Sequence, residues 1–195
     1  MKLFSLIILH LLAIAQSQIE ISQTFTLCET DADDRRVDLD KLKSPPLNHT
    51  ALDEITKLIG NRPVKVVSIV GGYHEGKSSF LNAMLGADRF DVGERFEHET
   101  KGFNVVVRLD TNDTAQPAMI FIDTPGSGAL DTNVAFQAAY FGVAYLISST
   151  LVYNTKGVVI NTKNLDHLAS LLRTAISVNA TLPGLIFFCH LLLSS

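Results

Sequence analysis

Apolar residues gather in short runs divided by polar or glycine-bearing stretches, and the period within each run predicts its conformation. The run Val64-Lys65-Val66-Val67-Ser68-Ile69-Val70 is rich in β-branched side chains, which suit a pleated strand. Beyond it, Phe80, Leu81, Met84 and Leu85 recur at helical spacing. Residues 103–109 and 118–122 predict two strands separated by a polar hairpin around Asn112. A helix is predicted over 133–141, a buried strand over 143–149 and another over 185–188. Between these, 163–178 predicts a helix with Leu165, Leu168, Leu172 and Ile176 at core spacing.

Upstream of Val64 the pattern is weaker. Residues 18–28 alternate loosely, as an edge strand does, and 29–36 are charged enough to read as a loop. Pro45-Pro46 interrupts any regular element. Thr50-Ala51-Leu52-Asp53 fits a capping box ahead of a helix over 51–59, with Leu52, Ile55, Leu58 and Ile59 on one side and Gly60 ending it. Strands alternating with helices predict an α/β fold, a mainly parallel sheet with helices on both faces. A ligand of such a sheet belongs in the crevice at the carboxyl ends of its strands.

At that edge stands Gly71-Gly72-Tyr73-His74-Glu75-Gly76-Lys77-Ser78, which fits G-x-x-x-x-G-K-[ST] between a strand and a helix. This is the phosphate-cradling loop of the P-loop NTPases, so the fold expected is their three-layer α/β arrangement. The glycines let successive N–H groups curl inward as an anion nest, and the positive end of the following helix, from Ser79 onward, adds to it. Lys77 is expected on the β- and γ-phosphates and the Ser78 hydroxyl on Mg²⁺. A second motif follows the strand over 118–122, Asp123-Thr124-Pro125-Gly126. Asp123 reads as the acid on the metal side and Gly126 as a γ-phosphate contact. Between the two lies Thr100-Lys101-Gly102, whose threonine can complete the metal shell from a loop that orders with the triphosphate. Lys77, Ser78 and Thr100 are therefore the catalytic candidates, and Ser78, Thr100 and Asp123 the metal set.

The segment from Val67 to Ser78, then His98-Glu99-Thr100-Lys101-Gly102, then Ile122-Asp123-Thr124, resembles the large GTPase domain of guanylate-binding proteins and atlastins. Leu146-Ile147-Ser148-Ser149-Thr150-Leu151-Val152-Tyr153-Asn154 is similar to that family's strand and loop after the switches. The resemblance covers about residues 64–164, roughly half the chain, and more loosely reaches back to 39. It implies GTP, Mg²⁺ and hydrolysis promoted by homo- or heterodimerisation through the nucleotide face, with Thr100 as the switch I threonine. The chain departs from the family in three places. His74 stands where guanylate-binding proteins carry an arginine finger, and Pro125 where a water-organising glutamate is usual. The Arg-Asp pair that reads guanine does not appear in the apolar stretch from Leu185 to Ser195. The departures predict nucleotide binding with slow turnover. They leave open a non-hydrolysing G domain that regulates other GTPases, and an ATPase, because the loop itself does not choose the base.

The ends of the chain add a separate expectation. Lys2, the apolar stretch over 3–12 and Ala13-Ile14-Ala15 fit a secretory signal over 1–15, the apolar part being shorter than a membrane span requires. Sequons at Asn48, Asn112 and Asn179 agree with secretory entry, although GTPases of this type usually face the cytosol. The predicted organisation is a signal at 1–15, an extension with a short helix at 16–62, and a G domain over 63–195 that ends early, as a truncated gene product would. A net charge of −4 over 195 residues leaves no polybasic footprint for nucleic acid. The acidic cluster Asp31, Asp33, Asp34, Asp38 and Asp40 is interleaved with Arg35, Arg36, Lys41 and Lys43 and reads as a solvated loop rather than a calcium site. Cys28 and Cys189 have no zinc spacing, and nothing in the sequence brings them together as a disulfide.

Overall fold

A computed structural model of the chain describes residues 19–29, 47–92, 102–126, 134–156 and 184–190, with single positions 169 and 173. In chain order these form β1 (Ile19–Ile21), β2 (Phe25–Glu29), α1 (His49–Ile59), β3 (Val64–Gly71), α2 (Lys77–Leu85) and β4 (Gly102–Asp110). They continue as β5 (Ala118–Asp123), α3 (Val134–Ile147), β6 (Thr150–Lys156) and β7 (Gly184–His190).

The strands make one seven-stranded sheet in the order β1-β4-β5-β3-β6-β7, with β2 also on β4. The strand before the phosphate loop, β3, lies parallel between β5 and β6, and β7 continues the parallel set beyond β6. The hairpin partner β4 runs antiparallel to β5, and β1 and β2 both pair antiparallel with its outer side. Alternation along the strands divides the apolar side chains between two faces. Val67, Ile69, Val106, Phe121 and Val152 pack with Leu81 and Leu85 of α2. Val70, Val105, Val107, Ile122, Leu151 and Tyr153 pack with Ala51 and Ile55 of α1 and with Tyr140, Phe141, Ala144 and Tyr145 of α3. The result is the expected three-layer α/β fold, with the phosphate-loop strand near its middle.

Several elements differ from expectation. The strand expected over 143–149 is the C-terminal half of α3, and the strand lies at Thr150–Lys156. The run from Val134 to Ile147 is apolar almost throughout, so period alone does not separate helix from strand. Spacing decides it: Tyr140, Phe141, Ala144 and Tyr145 form one helical stripe on the sheet, while Val143, Leu146 and Ile147 are exposed. The edge strand over 18–28 is two strands, with a further register shift between Thr26 and Cys28. The buried strand over 185–188 is β7, beside β6, and Ile186 on it is exposed. The helix over 163–178 lies outside the described residues except Ala169 and Arg173, both helical.

Asn48, not Thr50, caps α1. Its side chain accepts the Ala51 N–H at 3.1 Å and donates to the Thr26 carbonyl at 3.1 Å, tying the helix to β2. Thr50 therefore falls inside the helix, which Gly60 ends at φ +60° as expected. Cys28 and Cys189 lie on β2 and β7, with β4, β5, β3 and β6 between them. At the usual strand spacing their backbones stand roughly 24 Å apart, far beyond disulfide reach.

Candidate functional site

The loop between β3 and α2 takes its shape from close backbone approaches. Gly71 has φ +153°, and a Cβ there would fall 2.1 Å from the Asn154 carbonyl oxygen of β6. Gly76 has φ +76° at the N-cap of α2, where no side chain caps the helix and no acid stands in its first turn. The leading N–H groups of α2, including that of Ser79, thus form an end suited to an anion. His74, at φ +55°, is the one non-glycine residue with positive φ among the described residues. Its exposed ring lies 3.9 Å from that of Tyr73, centroid to centroid.

Lys77 is the first residue of α2, and its side chain is buried. Nζ donates to the Gly72 carbonyl at 3.0 Å, bending the side chain back over the loop. Burial pulls its pKa below the ordinary lysine value, and the negative charges of Asp123 and then Glu75 oppose that shift. Desolvating an ammonium in this way is costly unless anions face it, so the site favours negative charge. Ser78 Oγ donates to Asp123 Oδ2 at 2.6 Å. Asp123 is 1% exposed and ends β5, paired in register with Ile69 of β3. Thr124 Oγ1 donates to the Ile69 carbonyl at 2.7 Å and holds the next residues against β3. Gly126 then passes directly beside the loop: a Cβ there would lie 2.7 Å from Tyr73 Cα and 3.1 Å from Lys77 Nζ.

The fold thus brings together the whole loop from Gly71 through Gly72, Tyr73, His74, Glu75, Gly76, Lys77 and Ser78 to Ser79, along with Asp123 and Gly126. Thr100 lies outside the described residues. One hydroxyl and one carboxylate already in contact are hard oxygen donors of the kind Mg²⁺ takes alongside waters and phosphate oxygens. The inward-bent ammonium and the uncapped helix end fit a polyphosphate.

Asn154 and Thr155 also belong to this site, though the sequence motifs do not mark them. Asn154 Nδ2 donates to the Glu75 carbonyl at 2.6 Å, and Thr155 Oγ1 to Glu75 Oε1 at 3.3 Å. The signal for them is the β3–β6 register, which pairs Gly71 with Asn154.

Comparison with known proteins identifies the family. The family described as "Guanylate-binding protein, N-terminal domain" matches residues 43–181. Guanylate-binding protein 5 of Mus musculus is 33% identical over 120 residues, covering 58% of this chain and 20% of that protein. Guanylate-binding protein 4 of Homo sapiens is 33% identical over 126 residues, covering 63% of this chain and 19% of that protein. The chain therefore spans about a fifth of the length of the curated relatives it matches. Among solved structures, a bacterial selenocysteine-specific elongation factor aligns with TM-score 0.32 and 12% identity, over 65% of this chain and 26% of its own.

Proposed function

The chain belongs to the guanylate-binding protein family through that family's N-terminal domain, and from this premise we propose that it binds GTP with Mg²⁺ and hydrolyses it slowly. One observation carries the proposal: Lys77 Nζ, the Ser78–Asp123 pair and the uncapped end of α2 converge beneath Gly126. In this reading the main-chain amides of the loop and Lys77 hold the β- and γ-phosphates and offset the charge that spreads over the equatorial oxygens during transfer. Ser78, Asp123 and Thr100 hold Mg²⁺, which when bound neutralises charge on the same oxygens. Gly126 meets the γ-phosphate through its main chain, since its closeness to Tyr73 and Lys77 Nζ excludes a side chain there. The choice of guanine rests on the family alone.

Slow turnover follows from two side chains. His74 occupies the position of the family's arginine finger, and an imidazole lacks the permanent charge of a guanidinium. Pro125 has no side-chain donor or acceptor with which to organise water. The same two residues favour a second reading, a non-hydrolysing G domain that pairs with related GTPases through the nucleotide face and alters their turnover. Isothermal titration with GTP, ATP and a Lys77→Ala control tests binding. Phosphate release at high protein concentration then separates the two readings. No heat and no displacement with either nucleotide would end the first reading.

For location, the leader read at 1–15 makes the secretory pathway the proposal and the cytosol its alternative. Microsequencing of the mature N-terminus decides between them, since Met1 retained on a cytosolic protein is incompatible with the first.

A further inference from the structure

Glu75 places a carboxylate inside the loop that would receive phosphates. Such a loop gathers donors, so a resident negative charge there requires a reason. Its Oε2 accepts the Gly72 N–H at 2.6 Å, and its Oε1 accepts the Thr155 hydroxyl at 3.3 Å. Its main-chain carbonyl accepts Asn154 Nδ2 at 2.6 Å. The carboxyl group lies over Gly72 so closely that a Cβ on that glycine would fall 2.7 Å from the carboxyl carbon. Glu75 is thus fastened to both arms of the site, the loop's entry at Gly72 and the end of β6.

The charge is felt nearby. It helps hold Lys77 in the ammonium form against burial. Burial first, and this carboxylate second, push the Tyr153 phenol up to about 12. The side chain therefore does two things that a substitution can separate. As an acceptor it shapes the loop. As a charge it stands close to where a triphosphate would bring several more.

We propose that Glu75 is a positioning residue for polyphosphate binding: its carboxylate geometry holds the loop in shape on β6, while its charge acts as a resident counter-anion to Lys77 and weakens binding below what that shape allows. The inference rests on the nucleotide-binding reading above and deepens it.

Glu75→Gln keeps an oxygen to accept the Gly72 N–H and an amide to meet Thr155, but removes the charge. Glu75→Ala removes both. GTP with Mg²⁺ is titrated into the full chain and both variants at several salt concentrations. Glu75→Gln is expected to bind about threefold to tenfold more tightly than the native chain, the size expected for one charge close to, but partly screened from, the phosphates. Its affinity should also fall more steeply with salt, because less repulsion cancels the attraction. Glu75→Ala should bind more weakly than Glu75→Gln by about tenfold, the effect of one lost charge-free anchor of about 1–1.5 kcal/mol. A purely structural role would not change the salt slope. The inference is overturned if Glu75→Gln binds no tighter than the native chain, or if Glu75→Ala binds as tightly as Glu75→Gln. If the native chain and both variants all fail to bind GTP, ATP and inorganic tripolyphosphate, the nucleotide reading falls and this inference with it. Native binding with no difference among the variants overturns the inference alone.

Discussion

Ser78 Oγ donates to Asp123 Oδ2 at 2.6 Å, joining the first turn of α2 to the carboxyl end of β5 across 45 positions of sequence. The contact depends on the parallel register that sets Asp123 beside Ile69, two residues before the loop begins at Gly71. If Mg²⁺ binds as proposed, this hydroxyl and this carboxylate already stand side by side to receive it.

The first prediction concerns that pair. If Ser78 and Asp123 hold Mg²⁺, chelation with EDTA should weaken GTP binding to the native chain by about tenfold or more, equivalent to about 1.4 kcal/mol. In Ser78→Ala and Asp123→Asn the Mg²⁺ and EDTA titrations should nearly coincide. Native binding unaffected by chelation would remove both residues from the metal set. Thermal melts of the variants serve as the folding control, because Asp123 is buried.

Lys77 gives a pH dependence with a definite sign. Burial pulls its pKa down in the empty protein. A bound polyphosphate favours the ammonium and raises that pKa. Binding therefore takes up protons where the empty site has begun to lose its own, below the ordinary lysine range, and affinity falls as pH rises through that window. Below it Lys77 is charged in both states and its contribution is level. The same depressed pKa opposes folding at lower pH, so the stability of the empty protein should rise slightly over the same window. Calorimetry in buffers of different ionisation enthalpy measures the proton uptake, which should vanish in Lys77→Ala.

How much of this was legible in sequence depends on the range of the interaction. The phosphate loop and its flanking strand and helix could be read because backbone shape and chemistry fix residue types within a few positions. Asp123 could be read for the same reason, as a carboxylate closing an apolar strand. The Glu75 anchor could not, because its partners Asn154 and Thr155 come close only through the β3–β6 register. The limit between α3 and β6 was hidden for a different reason. Val134 to Ile147 is so evenly apolar that neither period stands out, and only the sheet surface selects which side chains turn inward. At α1, Thr50 and Asn48 are both acceptable caps, and the tie to Thr26 on β2 favours Asn48.

That tie supports a stability prediction. Asn48→Ala removes the acceptor for Ala51 N–H and the donor to the Thr26 carbonyl, and should destabilise the protein by about 1–2 kcal/mol. Thr50→Val should cost less, since that hydroxyl is not the cap. Denaturant melts compare the two. The amide nitrogen of Asn48 is also the atom that would carry a glycan at the first sequon, so modification there would replace one of its two hydrogens and crowd the contact with Thr26. If the chain enters the secretory pathway, peptide mapping should find Asn112 modified in preference to Asn48.

The last prediction tests the origin of the slow turnover proposed above. His74 holds the left-handed conformation, φ +55°, with its side chain exposed at the mouth of the loop. A backbone held there at a strain of about 1 kcal/mol presents its side chain at the mouth of the loop, where the exposed His74 ring rests against Tyr73. Arginine at this position should meet the same backbone cost and add a permanent charge able to follow the charge that develops on the transferring phosphoryl group. An arginine finger is worth about a thousandfold or more in turnover where its geometry is optimal. His74→Arg, without a partner shaped to it, should raise the single-turnover rate of phosphate release by at least about tenfold while changing GTP affinity by no more than about threefold. His74→Ala should leave the native rate nearly unchanged if imidazole contributes nothing to the step. A higher affinity with no higher rate in His74→Arg would mean that the charge acts on the bound nucleotide and not on the transition state. The deficit in turnover would then lie with Pro125, and Pro125→Glu becomes the variant expected to raise the rate.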